Sequence, residues 1–83
     1  MKITVYTTVA CPYCDMLMEY LDEKGFEYET KRVDESNEIR EEMAQNSGGF
    51  LGVPFTCITQ EDGTAEGVIG FDKNKLNSLL GIE

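Results

Sequence analysis

Ile3 and Val5, with Thr7 beyond them, alternate with Lys2, Thr4 and Tyr6, a period of two that predicts a first strand with one apolar face. The alternation stops before Cys11, and Pro12 fits the opening turn of a helix, where no amide donor is needed. Leu17, Tyr20, Leu21 and Lys24 follow at helical spacing, while Met16 and Met18 widen the apolar side. Gly25 can end the run in the left-handed region, so a helix is expected over residues 12–24. Phe26, Tyr28 and Thr30 then alternate with Glu27, Glu29 and Lys31, which predicts a second strand ending near Val33. A crossover of this length makes the two strands parallel, with a right-handed connection.

Residues 34–46 predict an acidic second helix whose apolar line is thin: Ile39, Met43 and Ala44. Gly48-Gly49 ends it and opens a loop through Gly52. Val53 to Thr59 reads as a strand, Glu61-Asp62-Gly63 as a hairpin turn, and Val68-Ile69 as a short partner strand that Gly70 breaks. Asp72 can cap a last helix containing Leu76, Leu79 and Leu80. The order is β-α-β-α-β-β-α in one domain over residues 1–83, without repeat or linker. One core is expected, built from Ile3, Val5, Leu17, Phe26 or Tyr28, Val53, Phe55, Ile58, Val68 and Leu76.

Composition narrows what such a domain can do. At 83 residues the chain carries a single small core with little spare stability. Seven basic residues against 16 acidic ones give a net charge of -9, which repels a phosphate backbone and argues against nucleic acid as a partner. No run approaches the length of a membrane span and no basic start leads into an apolar stretch, so a cytoplasmic setting without membrane contact is expected. Three cysteines do not make a structural disulfide framework. In a reducing compartment, Cys11 and Cys14 read instead as a pair that cycles.

The first turn of a helix presents unpaired amides and the positive end of its dipole. A thiolate at Cys11 gains hydrogen bonds there, so its pKa should fall below about 8.5. Cys14 sits deeper in the same turn. Cys11 is therefore the expected nucleophile and Cys14 the resolver of the mixed disulfide. Pro12 stiffens the loop, and Tyr13 offers a flat surface beside the nucleophile. Asp15 opposes thiolate formation through its charge while supporting the helix end, two effects that partly cancel. A CxxC pair also suits half of a zinc or iron-sulfur site, but there is no histidine and only Cys57 remains, so such a site needs two chains.

Other residues have plainer readings beside sharper ones. From residue chemistry alone Val53-Pro54 marks a strand start, the alternative being a cis bond that exposes backbone groups beside the thiols. Cys57 is expected as a small buried apolar residue, with a regulatory thiol as the alternative. Tyr6 reads as packing, Asp72 as a helix cap, and the Glu-rich second helix as a solvated face or a surface for a basic partner. Phe71 divides evenly between packing and partner contact.

Taken in order, Cys11-Pro12-Tyr13-Cys14, Val53-Pro54 and Gly70-Phe71-Asp72 resemble the glutaredoxin family over essentially the whole chain. The resemblance implies a thioredoxin-like α/β fold with a four-stranded mixed sheet, a cis Pro54 and a monomeric dithiol-disulfide oxidoreductase acting on disulfide-containing proteins. It implies glutathione as cosubstrate, with no cofactor held tightly and no metal. Tyr13 would flank the glutathione, Val53 would pair with its cysteinyl backbone, and Gly70, Phe71 and Asp72 would hold its γ-glutamyl end. Three departures matter. Thr8 stands where many members carry lysine, and Arg40 is the only cation of the acidic second helix. Gly70-Phe71-Asp72-Lys73 followed by Lys75-Leu76 is nearer to the glutaredoxin-like redoxins of bacteria and archaea, including those linked to ribonucleotide reductase, than to the family's common Gly-Gly. A thioredoxin reductase is thus the alternative electron donor, and a metal or iron-sulfur carrier the alternative function.

Overall fold

In the computed structural model, which describes residues 1–49 and 52–81, the opening alternation becomes β1 (Lys2–Thr7). There follow α1 (Pro12–Glu23), β2 (Glu29–Arg32), α2 (Asn37–Ser47), β3 (Phe55–Thr59), β4 (Ala65–Ile69) and α3 (Lys73–Leu80). The strands form one sheet in the order β2-β1-β3-β4. β1 runs parallel to β2, as the α1 crossover requires, and antiparallel to β3, which is antiparallel to β4. This is the thioredoxin-like α/β fold with the expected element order and a mixed sheet. Residues 50 and 51 of the expected loop lie outside the described residues.

The expected single core is two buried clusters, one on each face of the sheet. On one face Ile3 lies opposite Ile58, and Val5 opposite Thr56. Leu17 and Leu21 of α1 and Leu76 and Leu80 of α3 cover that face, with Phe26 and Tyr28 both packed at its margin. The other face holds Tyr6, Phe55 and Met43 of α2, with Val53 partly buried beside them. Tyr6 and Phe55 are register partners, their ring centroids 6.0 Å apart. Helices thus lie on both sides of β1, so both of its side-chain rows are buried. Tyr6, on the row that alternation alone assigns to the polar side, is 1% exposed.

Element boundaries moved for identifiable reasons. β2 begins at Glu29 rather than Phe26, because the Phe26 amide donates back to the Leu21 carbonyl at 3.0 Å and completes the end of α1. α2 begins after Ser36, whose hydroxyl accepts from the Ile39 amide at 3.4 Å, and not at Asp34. β3 starts at Phe55, after the donorless Pro54. β4 extends back to Ala65 from the expected Val68-Ile69, since the turn closed by Gln60 N–H to Thr64 O at 2.8 Å brings Thr59 opposite Ala65. Gly67 interrupts the strand signal in sequence but is needed in space. A β-carbon there would lie 2.6 Å from Cζ of Phe55.

Candidate active site

The antiparallel registers Tyr6–Phe55 and Phe55–Ile69 place three chain segments at one end of the sheet. They are the segment after β1, carrying Cys11; the segment before β3, with Val53 and Pro54; and the segment after β4, with Gly70, Phe71 and Asp72. Residues more than 50 positions apart in sequence therefore share an edge, which local pattern alone does not convey.

Cys11 is the N-cap of α1, with an extended backbone, and its Sγ accepts the Cys14 amide at 3.1 Å. The Asp15 amide donates to the Cys11 carbonyl at 3.2 Å and begins the helical ladder. Pro12 occupies the first turn, where its missing N–H costs nothing. The Cα atoms of Cys11 and Cys14 are 5.2 Å apart and their sulfurs are joined in a disulfide. Cys14 is 0% exposed and Cys11 9%, so Cys11 is the more accessible of the pair. Tyr13 projects beside them at 63% exposure.

The Val53-Pro54 peptide is cis, as the family resemblance implies. Pro54 is buried and Val53 half-buried. The Gly70 amide donates to the Pro54 carbonyl at 2.9 Å and ties the two loops together. Gly70 has φ +72°, a left-handed conformation that favours glycine. Phe71 packs edge-on to Tyr20 of α1 with centroids 5.8 Å apart, and Lys73 Nζ lies 5.5 Å from the Phe71 ring centroid. Even so, Phe71 lines an open cleft of about 430 Å³ with Ile69, Asp72, Lys73 and Asn74, so it both packs and presents surface. Asp72 is the N-cap of α3, accepting the Lys75 amide at 3.2 Å.

A second cleft, of about 360 Å³, opens at the same end between Thr8, Val53 and the start of α2, with Arg40 in its wall. Thr8, Arg40 and Val53 were singled out from the sequence, but the carboxylates beside them were not. Arg32 is clamped by Asp34 at 2.9 Å and by Glu35 at 2.7 Å. Asp34 also accepts the Val9 amide at 3.3 Å, fixing a carboxylate to the loop that leads into Cys11. The hydrogen bond from Arg32, then that from the Val9 amide, holds the Asp34 carboxyl below its ordinary range. An acidic residue placed directly after a strand at this end was the available signal, and it reads equally well as a helix start.

Cys57 departs from expectation. It is half-buried rather than buried, because it faces the side of the sheet where α2 leaves a cleft of about 250 Å³ with Tyr6, Lys31 and Glu42. The structure does not bring it to the disulfide. Among the described residues no group of three or more Cys, His, Asp or Glu is placed to hold a metal ion. No described helix is long and apolar enough to cross a membrane.

The sequence profile of the glutaredoxin family matches residues 3–61. The chain belongs to the glutaredoxin family. A probable glutaredoxin of Synechocystis is 35% identical over 95% of this chain and 92% of its own. An 8.6 kDa glutaredoxin-like protein from the rubredoxin operon of Clostridium pasteurianum is 33% identical over 94% and 96%. Among solved structures, the thioredoxin-like protein BC3987 superposes with a TM-score of 0.79 at 32% identity, covering 94% of this chain and 99% of that one. The NrdH-redoxin of Escherichia coli, a glutaredoxin-like protein with a thioredoxin-like activity profile, superposes with a TM-score of 0.75 at 29% identity, covering 95% of each chain. The joined Cys11–Cys14 pair and this kinship make the protein a thiol-disulfide oxidoreductase.

Proposed function

We propose that the protein reduces disulfides of proteins and of small thiol compounds by a two-cysteine cycle, with Cys11 as nucleophile and Cys14 as resolver. The observation that carries this is the asymmetry of the pair: Cys11 caps the helix and keeps some exposure, while Cys14 is sealed beneath it. The Cys11 thiolate attacks one sulfur of the substrate disulfide, and the other sulfur leaves as a thiolate. Deprotonated Cys14 then attacks Cys11 Sγ, forming the Cys11–Cys14 bond and expelling the second substrate thiolate. Two electrons have passed to the substrate, and a donor dithiol or two thiols return them in a reducing compartment, which we take to be the cytoplasm. In this reading Tyr13, Val53, Pro54, Gly70, Phe71 and Asp72 form the docking surface around the sulfur.

Glutathione is the donor that the family suggests. A second donor, a thioredoxin reductase, has a specific observation in its favour. Asp34 and Glu35, held in place by Arg32, line the cleft beside Thr8, where a lysine would have offset them. The glycine carboxylate of glutathione would meet two carboxylates there that a single Arg32 shares between them, and among the described lining residues Arg40 is the one cation to attract it. The test compares disulfide reduction driven by glutathione with glutathione reductase against reduction driven by NADPH with thioredoxin reductase. The structure-based expectation is faster turnover with the reductase, and Cys11→Ser should lose both activities. Turnover by Cys11→Ser equal to wild type would overturn the nucleophile assignment, and equal rates with the two donors would overturn the preference.

A further inference from the structure

Among the described residues, Thr56 Oγ1 is a buried side-chain oxygen without a hydrogen-bond partner in the protein. The residue is 0% exposed and lies between Val5 of β1 and Val68 of β4 in the sheet register. Its side chain shares the face of Ile58, two residues on, which α1 and α3 cover. Thr56 is also two residues beyond Pro54, at the end of the sheet where α1 begins. Cys14, also 0% exposed, begins the buried row of α1 that continues through Leu17 and Leu21, and those two leucines share one cluster with Val5 and Val68 on this face. The surroundings are otherwise apolar: Ile3, Val5, Leu17, Leu21, Ile58 and Val68. Thr7, the next hydroxyl on this face, already donates to the Thr8 carbonyl at 3.2 Å.

A disulfide sulfur is a weaker acceptor than a thiolate, and in the oxidised form Thr56 Oγ1 makes no hydrogen bond to Cys14 Sγ. A thiolate is a strong acceptor, and in an apolar pocket it has few other donors. We propose that the Thr56 hydroxyl is a positioning residue that takes up a hydrogen bond to the Cys14 thiolate when the disulfide opens, holding the resolving sulfur ready to attack. Its orphan state belongs to the oxidised form. The inference rests on the reading of Cys14 as resolver.

No charged side chain is buried on β1, β3, β4 or α3 where they pack on this face; Glu66 of β4, opposite Ile58, shares the face but is exposed, and on α1 the nearest charge in sequence is the exposed Asp15. The hydroxyl is therefore separable from charge effects. Thr56→Val keeps the branched shape and removes the donor. In single-turnover reduction of a protein disulfide, its release of product from the mixed disulfide should slow about three- to tenfold. In a Cys11→Ser background, Thr56→Val should raise the midpoint of the Cys14 titration, followed by ultraviolet thiolate absorbance. Thr56→Ser should restore both readouts. Urea unfolding of oxidised Thr56→Val should match or exceed wild type, since an unpaired buried hydroxyl is lost; if that variant does not fold, Thr56→Ala takes its place. A wild-type release rate, or an unmoved Cys14 titration, in the donorless variant overturns the proposal. Cys14→Ser is measured alongside: if it releases product at the wild-type rate, the resolver reading fails, a result distinct from failure at Thr56.

Discussion

Gly67 and Phe55 illustrate how single residues set this fold. The Phe55 ring lies where a β-carbon on Gly67 would be, 2.6 Å from Cζ and 2.8 Å from Cε1. The ring is buried against Tyr6 and Met43 and begins the strand directly after Pro54, so it has little room to yield. Gly67→Ala should cost about 1–3 kcal/mol by overpacking, read as a lower midpoint of urea unfolding with unchanged slope; a wild-type midpoint would show that the ring moves freely. Residues differ in how far they can be read beforehand. Cys11 and Cys14 were legible because their chemistry is local: a cap, a proline and one turn of helix. Thr56 was not, since a threonine in a strand is ordinary until the sheet places it opposite Val5 and beneath two helices.

At the scale of elements, α2 is attached by a thin apolar line and by a polar cluster. Met43 is its one fully buried residue. The Tyr6 hydroxyl donates to Glu42 at 2.6 Å, Lys31 donates to the same oxygen at 2.7 Å, and Asn46 donates to the Tyr6 hydroxyl at 3.1 Å, joining β1, β2 and α2. The hydrogen bond from Lys31, then that from Tyr6, holds the Glu42 carboxyl below its ordinary 4.5. A depressed carboxyl stabilises the fold above its unfolded pKa and loses that contribution as pH falls through the folded one. Stability should therefore decline from about pH 4.5 downward, and Glu42→Gln should flatten that acid limb. Because Glu42 is partly exposed, the effect is modest, under about 1 kcal/mol. On the alkaline side, burial and then the bond to Glu42 push the Tyr6 hydroxyl above its ordinary 10.0, and burial raises Tyr28 in the same direction. Both favour the neutral form in the fold, so stability present below pH 10.0 is lost as pH rises past it. Tyr6→Phe should reduce that loss relative to wild type in unfolding midpoints taken across the range; identical alkaline limbs would remove Tyr6 from the account.

For the whole molecule, charge governs which substrates arrive. The net charge is -9, and Lys2, Lys31 and Arg32 are engaged in ion pairs with acidic neighbours. Repulsion of an anionic disulfide should weaken as salt shortens the screening length from about 30 Å at 0.01 M to about 10 Å at 0.1 M. Reduction of glutathione disulfide should thus accelerate over that range, while reduction of uncharged hydroxyethyl disulfide should not; equal salt dependence of the two would count against this field. Sequence by itself determined the element order, the thiol pair and the acidity, because each depends on neighbours in the chain or on a sum over it. Tertiary structure decided the rest. Only the sheet register brings Pro54 and Gly70 into one hydrogen bond at the edge that carries Cys11, turns Tyr6 inward beneath α2, and leaves Cys57 half-open on the face away from the disulfide. Pairing between strands distant in sequence is set by how two helical layers cover both faces of one sheet, and no local period encodes that.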